Sequence, residues 1–370
     1  MSSIVVAGGG LAGAAAASGL AQAGMEVTLI ERQAQPVDKI CGEFLSLEAQ
    51  AYLVKLGLDL DGLCGAPISR LRLVRGARFV ETKLPFRGIG LSRRKLDEAL
   101  LLHAGLSGAR ILRGRTIRSV RIGETLQLDV EGEGAMTPET FLLATGKHEL
   151  RGARREIATS HDLIGFKMYF RLTEAARAEL TEYIELIFFS GGYAGLQMIE
   201  DGIANFCLLV NRNRFMTCGA SWPALLDYIK TESPYLAGQL QGAVPQLQQP
   251  LSVYRVPYGF IHRHRPRDPA RLFRLGDQAC VIHSFTGDGM AVALHSAALA
   301  VQMIRNSKDA GAFHRRLTRD VRGQMKRADA LSTLLNHSVT QPMMFAVAGF
   351  WPRILKMAAE LTRVPLRART

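Results

Sequence analysis

Three features of the sequence predict a mixed α/β fold. Ile4-Val5-Val6-Ala7 is a short run rich in β-branched residues, as expected for a fully buried parallel strand. It passes through Gly8-Gly9-Gly10 into an alanine-rich stretch, Leu11 to Ala23, with Gly24 as a helix stop. Met25 to Ile30 is a second apolar run that closes on Glu31-Arg32. Strand, glycine turn, helix, strand is the order of a Rossmann-type βαβ unit.

Each residue of that turn has a physical role. In Gly8-Gly9-Gly10-Leu11-Ala12-Gly13, Gly8 permits a tight turn and Gly10 lets the backbone approach a pyrophosphate. Gly13 allows the helix to pack closely on the strands, while Leu11 and Ala12 open the helix whose free N–H groups and positive dipole end face the phosphates. Glu31 ends the second strand, where a carboxylate accepts hydrogen bonds from ribose hydroxyls, and Arg32 lies beside it. The apolar stretch from Ile4 to Gly24 lacks a basic leader and is broken by six glycines. It therefore reads as a retained, folded segment, not as a signal peptide or membrane span.

The rest of the chain alternates between patterns. Leu45 to Leu56 has helical periodicity and ends at Gly57, and Ile68 to Leu91 alternates like strands. Ser92 caps a helix over Arg93 to Ala104, with Leu96, Leu100 and Ala104 on one face. Strand-like segments follow near Ile111–Val120 and Leu126–Val130, and Phe141–Ala144 runs into Thr145-Gly146. From Ile164 to Tyr258, aromatic and branched runs separated by Gly191-Gly192 and Asp201-Gly202 predict an antiparallel, substrate-facing sheet. A second glycine-bearing loop, Gly276 to Gly289, leads into a helix over Met290 to Asn306, and the remainder is mostly helical. The expected division is a discontinuous dinucleotide domain (1–160 and 255–310), a substrate sheet (161–254) and a C-terminal helical segment (311–370).

The second glycine loop selects the dinucleotide. Gly276-Asp277 and the segment through Gly287-Asp288-Gly289-Met290 resemble, in spacing, the pattern GDAAHxxxPxxGxG. On these residues the chain resembles the flavoprotein superfamily of p-hydroxybenzoate hydroxylase-like monooxygenases and geranylgeranyl reductases. Cys41-Gly42-Glu43 is similar to the CGE/CGG segment of the reductases, and Ser92-Arg93 with Leu96-Asp97 to the "SR…LD" segment. The resemblance spans roughly residues 4–305 and implies FAD as cofactor. It places the Gly276-Asp277 pair against the ribityl and phosphate region, has Arg93 contact FAD, and sets Cys41 and Gly42 in the flavin pocket with Gly287, Gly289 and Met290 near the isoalloxazine. Physically, Asp277 can accept from ribityl hydroxyls, and the later glycines and helix start can stabilise negative charge on reduced flavin.

Departures from the pattern bear on chemistry. Ala144-Thr145-Gly146-Lys147 stands where the monooxygenases carry Asp-Gly, which puts a standard NAD(P)H arrangement in doubt and leaves a separate electron-donor reductase as the alternative. Cys280 replaces a histidine and Ser284 a proline. Trp222 and Trp351 are the only tryptophans, so the tryptophan-rich halogenase signature is missing.

A net charge of +13 favours anionic partners. The basic stretch His314-Arg315-Arg316, with Arg319, Arg322, Lys326 and Arg327, reads as the solvated face of a helix, and no nucleic-acid motif accompanies it. Five cysteines without a CxxC pair suit a reducing, cytoplasmic setting. His262-Arg263-His264-Arg265 reads as a solvated loop with no carboxylate spaced for coordination, so no metal is expected. His283 is a candidate acid–base group near the flavin ring, and His295 is structural. Met343 to Met357 is an apolar stretch flanked by Arg353, Lys356 and Arg363, for which core packing is weighed against peripheral membrane contact. No residue is assigned a catalytic role. The leading expectation is a monooxygenase acting on a hydrophobic aromatic or polyketide-like molecule. The alternatives are a geranylgeranyl-reductase-like enzyme and a non-enzymatic dinucleotide-binding protein.

Overall fold

In the computed structural model, residues 3–157, 162–336, 340–351, 353–361 and 363 are described; Pro352, from the C-terminal apolar stretch, lies outside them. Ile4–Ala7 pairs in parallel with Val27–Glu31 on one side and Thr140–Leu143 on the other. Leu272–Arg274 and Arg110–Arg113 complete a five-stranded parallel sheet in the order 272–274, 140–143, 4–7, 27–31, 110–113. Its central strand is buried on both faces, which is why it is apolar without alternation.

The helix Leu11–Gln22 needs its alanines. It is packed by Arg93–Leu106 and Gly289–Arg305, and Ala14, Ala16, Ala17 and Leu20 are fully buried. A methyl on Gly19 would meet Val301 at 3.0 Å, so small residues set how closely these helices approach.

A larger sheet packs beside this unit. Its strands run in the order 244–245, 163–171, 204–211, 192–198, 182–189, 66–75, 78–90, 44–45, with 251–254 also pairing with 163–171. All pairings are antiparallel except Glu182–Phe189 against Ala66–Arg75, which is parallel. The sheet is thus drawn from a wider span than 161–254, since it includes residues 44–45, 66–75 and 78–90. Alternation marks a segment as a strand but does not say which strand it pairs with. One face is covered by Glu174–Leu180, Trp222–Glu232 and Pro234–Gln239 over an aromatic core that includes Phe166, Phe170 and Phe206. The other carries a separate apolar cluster of Leu73, Phe188, Tyr193, Leu209, Val256 and Tyr258, reached by Phe345 and Ala348 of the helix Thr340–Phe350.

The long helix Ala310–Asn336 resolves the late basic stretch. Arg315, Arg319, Arg322 and Lys326 are exposed, whereas His314 is buried with Phe313, Leu317 and Val321. The C-terminal apolar stretch is divided: Phe345 is buried, while Met343, Val347, Phe350, Trp351 and Met357 face outward. Among the described residues, no helix is long and apolar enough to cross a membrane.

Candidate functional site

The glycine turn has the geometry its sequence requires. Gly8 sits at φ +102° and donates its N–H to Ile30 O at 2.8 Å. A Cβ on Gly13 would lie 1.9 Å from Gly8 O, so no side chain fits where the helix crosses the strand end. Gly10 precedes the helix Leu11–Gln22, and no side chain caps that helix. The first carbon of a side chain at Gly10 would lie 3.5 Å from both Arg93 Nη2 and Lys39 Nζ. A helix start and two cations therefore converge on one backbone position that carries no side chain, which is a cradle for a pyrophosphate. These residues fit the phosphates of FAD.

Both cations are held by one carboxylate. Asp97 accepts from Arg93 Nε at 2.8 Å and Arg93 Nη2 at 2.9 Å, and from Lys39 Nζ at 2.6 Å. Burial pushes the Asp97 carboxyl up, but Arg93 and Lys39 outweigh it and hold it below the usual range. Burial also opposes the Arg93 charge, and Asp97 and Cys41 outweigh that, so the guanidinium stays charged. Glu31 accepts Gly9 N–H at 2.6 Å and Gln33 N–H at 2.8 Å, which fixes its carboxylate at the edge of the turn. Glu31, Gly9, Gln33, Lys39 and Asp97 line one crevice. Arg32 turns instead to His148, 2.7 Å away at the surface. Burial, followed by Arg32, Lys39 and Lys147, lowers the His148 pKa.

The second glycine loop is joined to the first. Gly276 takes φ +54°, donates to Ser296 Oγ at 2.9 Å, and would carry its Cβ 3.1 Å from that of Ala12. Two motifs far apart in sequence therefore meet at one helix start. Asp277 is half-buried beside them, and its backbone carbonyl accepts from Arg155 at 2.8 Å. Gly287, at φ +66°, packs against Phe44, so the loop before the helix Gly289–Arg305 lies against the segment that begins at Cys41. Gly42 and Gly289 are exposed, and Cys41 and Gly287 half-buried; Met290 is buried.

Behind Cys41-Gly42 lies a feature that the sequence did not reveal. Glu43 is fully buried at φ +59°. Lys167, fully buried too, donates to it at 2.5 Å. Tyr169 Oη–H and Arg93 N–H both donate to Glu43 Oε1 at 2.8 Å. Gln197 donates to Glu43 O at 2.9 Å, while Asn205 bonds the carbonyls of Cys41 and Gly42 at 3.1 and 2.8 Å. Burial raises the Glu43 pKa despite Lys167, and burial with Glu43 raises that of Tyr169. Glu43 Oε2, Gln197 Oε1 and Asn205 Oδ1 are buried without a hydrogen-bond partner. Three orphaned acceptors in one cluster fit a site that a ligand or ordered water completes. Lys167, Gln197 and Asn205 sit on strands whose sequence reads as ordinary aromatic-rich sheet, so no local signal marked them.

The remaining candidates fall in several places. Ser92 caps its helix through Lys95 N–H and is tied to Glu200 by its N–H, at 2.8 Å, and by its hydroxyl. Thr145 Oγ1 donates to His148 O, and Gly146 O accepts from Gln278 at 2.8 Å. His283 stacks on Tyr258 and reaches Asp329 at 3.0 Å. His295 is fully buried between Tyr52 Oη, at 2.8 Å, and Asp320, at 3.2 Å. Burial pushes the Cys280 thiol up to about 12. In the His262–Arg265 run, Arg263 and Arg265 are exposed, as expected of a solvated loop. His262 and His264 are half-buried, and a turn through Arg265 brings Asp268 to 3.7 Å from His262. Burial, and then Arg274, hold the His262 pKa down at about 4.

If Arg93 and Asp277 hold the cofactor, Arg93→Ala and Asp277→Ala should each weaken FAD binding by roughly tenfold or more, the equivalent of about 1.5–3 kcal/mol for one charged hydrogen bond. Fluorescence titration of the apoprotein measures this. Unchanged affinity in either variant would remove that residue from the site.

Residues 3–60 match the family described as pyridine nucleotide-disulphide oxidoreductase. The chain is similar to digeranylgeranylglycerophospholipid reductase 1 of Methanopyrus kandleri, with 34% identity over 152 residues; the match spans 40% of this chain and 36% of that protein. The chain thus aligns with little more than a third of that relative's length. Among solved structures it superposes on a flavin-dependent brominase with TM-score 0.79 and 16% identity, covering 98% of this chain and 93% of the other. It also superposes on a geranylgeranyl bacteriochlorophyll reductase-like protein from Thermoplasma acidophilum, with TM-score 0.71 and 18% identity, covering 100% and 94%. At these identities the structural likeness is one of fold. The chain's first sixty residues thus match a dinucleotide-dependent oxidoreductase family, and its two joined glycine motifs and its fold are similar to those of FAD-dependent oxidoreductases, geranylgeranyl reductases among them.

Proposed function

We propose that the protein is an FAD-dependent reductase of carbon–carbon double bonds in an isoprenoid or similarly lipophilic chain. The observation that carries this reading is the Cys41–Glu43 turn, the segment that resembles the reductases, clamped by Lys167, Tyr169, Gln197 and Asn205 of the large sheet. The similarity to a reductase of geranylgeranyl lipids supports it, as does Thr145-Gly146 in place of the monooxygenases' Asp-Gly. Exposed Phe350 and Trp351 beside Arg353 fit peripheral contact with the anionic lipid surface where such a substrate resides.

Reduced FAD held here would supply the hydride for one carbon of the double bond, and the other carbon would take a proton. The chain's own residues bind, orient and hold that proton. The glycine turn, Arg93 and Lys39 would hold the pyrophosphate, and Gly276 with Asp277 would orient the ribityl chain. Tyr169 Oη and Lys167 Nζ keep protons within 2.8 Å of Glu43 Oε1, directly behind the half-buried Cys41 thiol. The large sheet and the Cys41–Glu43 turn packed on its other face bury this cluster and exclude water from it.

The test is anaerobic. Dithionite-reduced protein mixed with a polyprenyl lipid should be reoxidised without oxygen and return a product two hydrogens heavier. NADPH alone should reduce the flavin well below typical turnover, on the order of 10 per second, because the nicotinamide lacks an ordering carboxylate and a misplacement of about 1 Å costs roughly a hundredfold. Oxygen consumption coupled to insertion of an oxygen atom, with the double bonds intact, would instead establish the monooxygenase chemistry.

A further inference from the structure

A second cluster of chemically capable side chains lies outside the residues assigned to FAD. His262, His264 and Asp268 stand on the loop that carries the chain from the large sheet to the strand Leu272–Arg274. One potential ligand atom from each lies within 4.8 Å of those of the other two, and all three residues are half-buried. His262 Nε2 is 3.7 Å from Asp268 Oδ2.

The loop is held in this shape. Ile261 bridges to Cys280, and His262 N–H donates to Ala279 O at 2.7 Å. Asp268 N–H donates to Arg265 O at 2.9 Å, and Arg265 N–H returns a bond to Asp268 Oδ2 at 2.8 Å. The imidazoles are packed as well. His314, from the long helix, meets the His262 ring edge-on at 4.6 Å between centroids and stacks on His264 at 6.0 Å. His264 also lies against Gly311, where a Cβ would come within 3.1 Å of its ring. Next to the cluster is a cavity of about 240 Å³, bounded by Gly152, Arg154, Glu156, Arg267 and Arg274. Water occupies about 30 Å³ per molecule, so there is room for several.

Four arginines stand nearby and would repel a cation: Arg154 is exposed, where solvent and salt screen its charge, and the other three are engaged. Arg265 and Arg267 pair with Glu156 at 2.5 and 2.9 Å, and Arg274 donates to Ala153 O at 2.9 Å.

We propose that His262, His264 and Asp268 bind one divalent first-row transition-metal ion, zinc foremost, with water from the cavity completing its shell. Two imidazole nitrogens and one carboxylate form a borderline donor set that suits zinc, whereas magnesium and calcium take all-oxygen sites. Zinc bonds of about 2.0–2.2 Å place tetrahedral donors roughly 3.3–3.6 Å apart, so the His262–Asp268 pair at 3.7 Å is nearly in place and the widest separation, at most 4.8 Å, closes by little more than about 1 Å. The ion cross-links the loop to itself just before the Gly276 turn and stabilises the folded chain in proportion to its occupancy.

The experiment uses full-length protein without a histidine tag, stripped with EDTA and titrated with zinc by calorimetry. Cobalt is then added as a spectroscopic stand-in. One equivalent of zinc should bind per chain and raise Tm, and cobalt should show the visible bands of a low-coordinate nitrogen and oxygen site. His264→Gln and Asp268→Asn should each weaken zinc by about tenfold or more, the loss that even an outer-shell partner costs, while bound flavin and its spectrum stay unchanged. His103→Gln, outside the cluster, should bind zinc like the parent. Substoichiometric zinc in the parent protein, or binding that survives either cluster substitution, overturns the proposal. Should one variant fold poorly, the parent stoichiometry, the cobalt spectrum and the other variant still decide it.

Discussion

Gly13→Val should yield a protein that purifies without flavin and unfolds at lower temperature than the parent. The Cβ it introduces would lie 1.9 Å from Gly8 O, 3.1 Å from Gly8 C and 3.2 Å from Ala144 Cβ. Two of these neighbours are backbone atoms, and Gly8 is held by its bond to Ile30 O. Relief requires the helix Leu11–Gln22 to move off the sheet, and that helix is packed by two others. Overpacking of this kind costs about 3 kcal/mol or more, or roughly a hundredfold in affinity if it falls on cofactor binding. Gly10→Ala separates the two effects. Its methyl meets Arg93 and Lys39 at an ordinary 3.5 Å, so the fold should hold while the phosphates are displaced. Gly238→Ala, away from both glycine motifs and with nothing within 4 Å, should be silent. Thermal unfolding and FAD content of the three variants check this; a flavin-loaded Gly13→Val protein would falsify the assignment of the turn.

Lys167→Met should destabilise the chain by about 3–5 kcal/mol, because it leaves the Glu43 carboxylate buried without its counter-charge. The loss should depend on pH with a definite sign. Burial already holds the Glu43 pKa above its unfolded value, and removing Lys167 raises it further. A carboxyl raised in the folded state contributes its stability at low pH and loses it as pH rises through the folded pKa. The variant should therefore fall further below the parent at pH 8 than at pH 5 in urea unfolding. Adding Glu43→Gln should recover most of the deficit, since replacing both members of a buried pair costs far less than orphaning one. Equal deficits at both pH values, or no recovery in the double variant, would show that Lys167 acts through packing alone.

Much of the flavin half was legible because its signals are local. A glycine turn, the strand before it and the helix after it occupy consecutive residues, and Gly8, Gly10 and Gly13 each answer a constraint within that turn. Ser92 is similar: a cap and its helix are neighbours in sequence. The helix boundaries differ from expectation by a residue or two, as with Leu47–Lys55 for Leu45–Leu56, because terminal turns depend on packing as much as on propensity.

The sequence by itself determined the α/β class, the strand–glycine turn–helix opening and the presence of two glycine motifs, since hydrophobic period and glycine placement act over a few residues. Only the tertiary structure decided what those pieces meet. It set Gly276 against Ala12, paired Lys167 with Glu43, and buried His314 within a stretch that reads as a basic helix face. It likewise turned Asp268 back toward His262, and gave residues 66–75 a parallel partner in 182–189. The reason is physical. A buried charge tolerates its position only through a partner brought from elsewhere in the chain, and the sheet registers and helix packings that deliver that partner are properties of the whole fold.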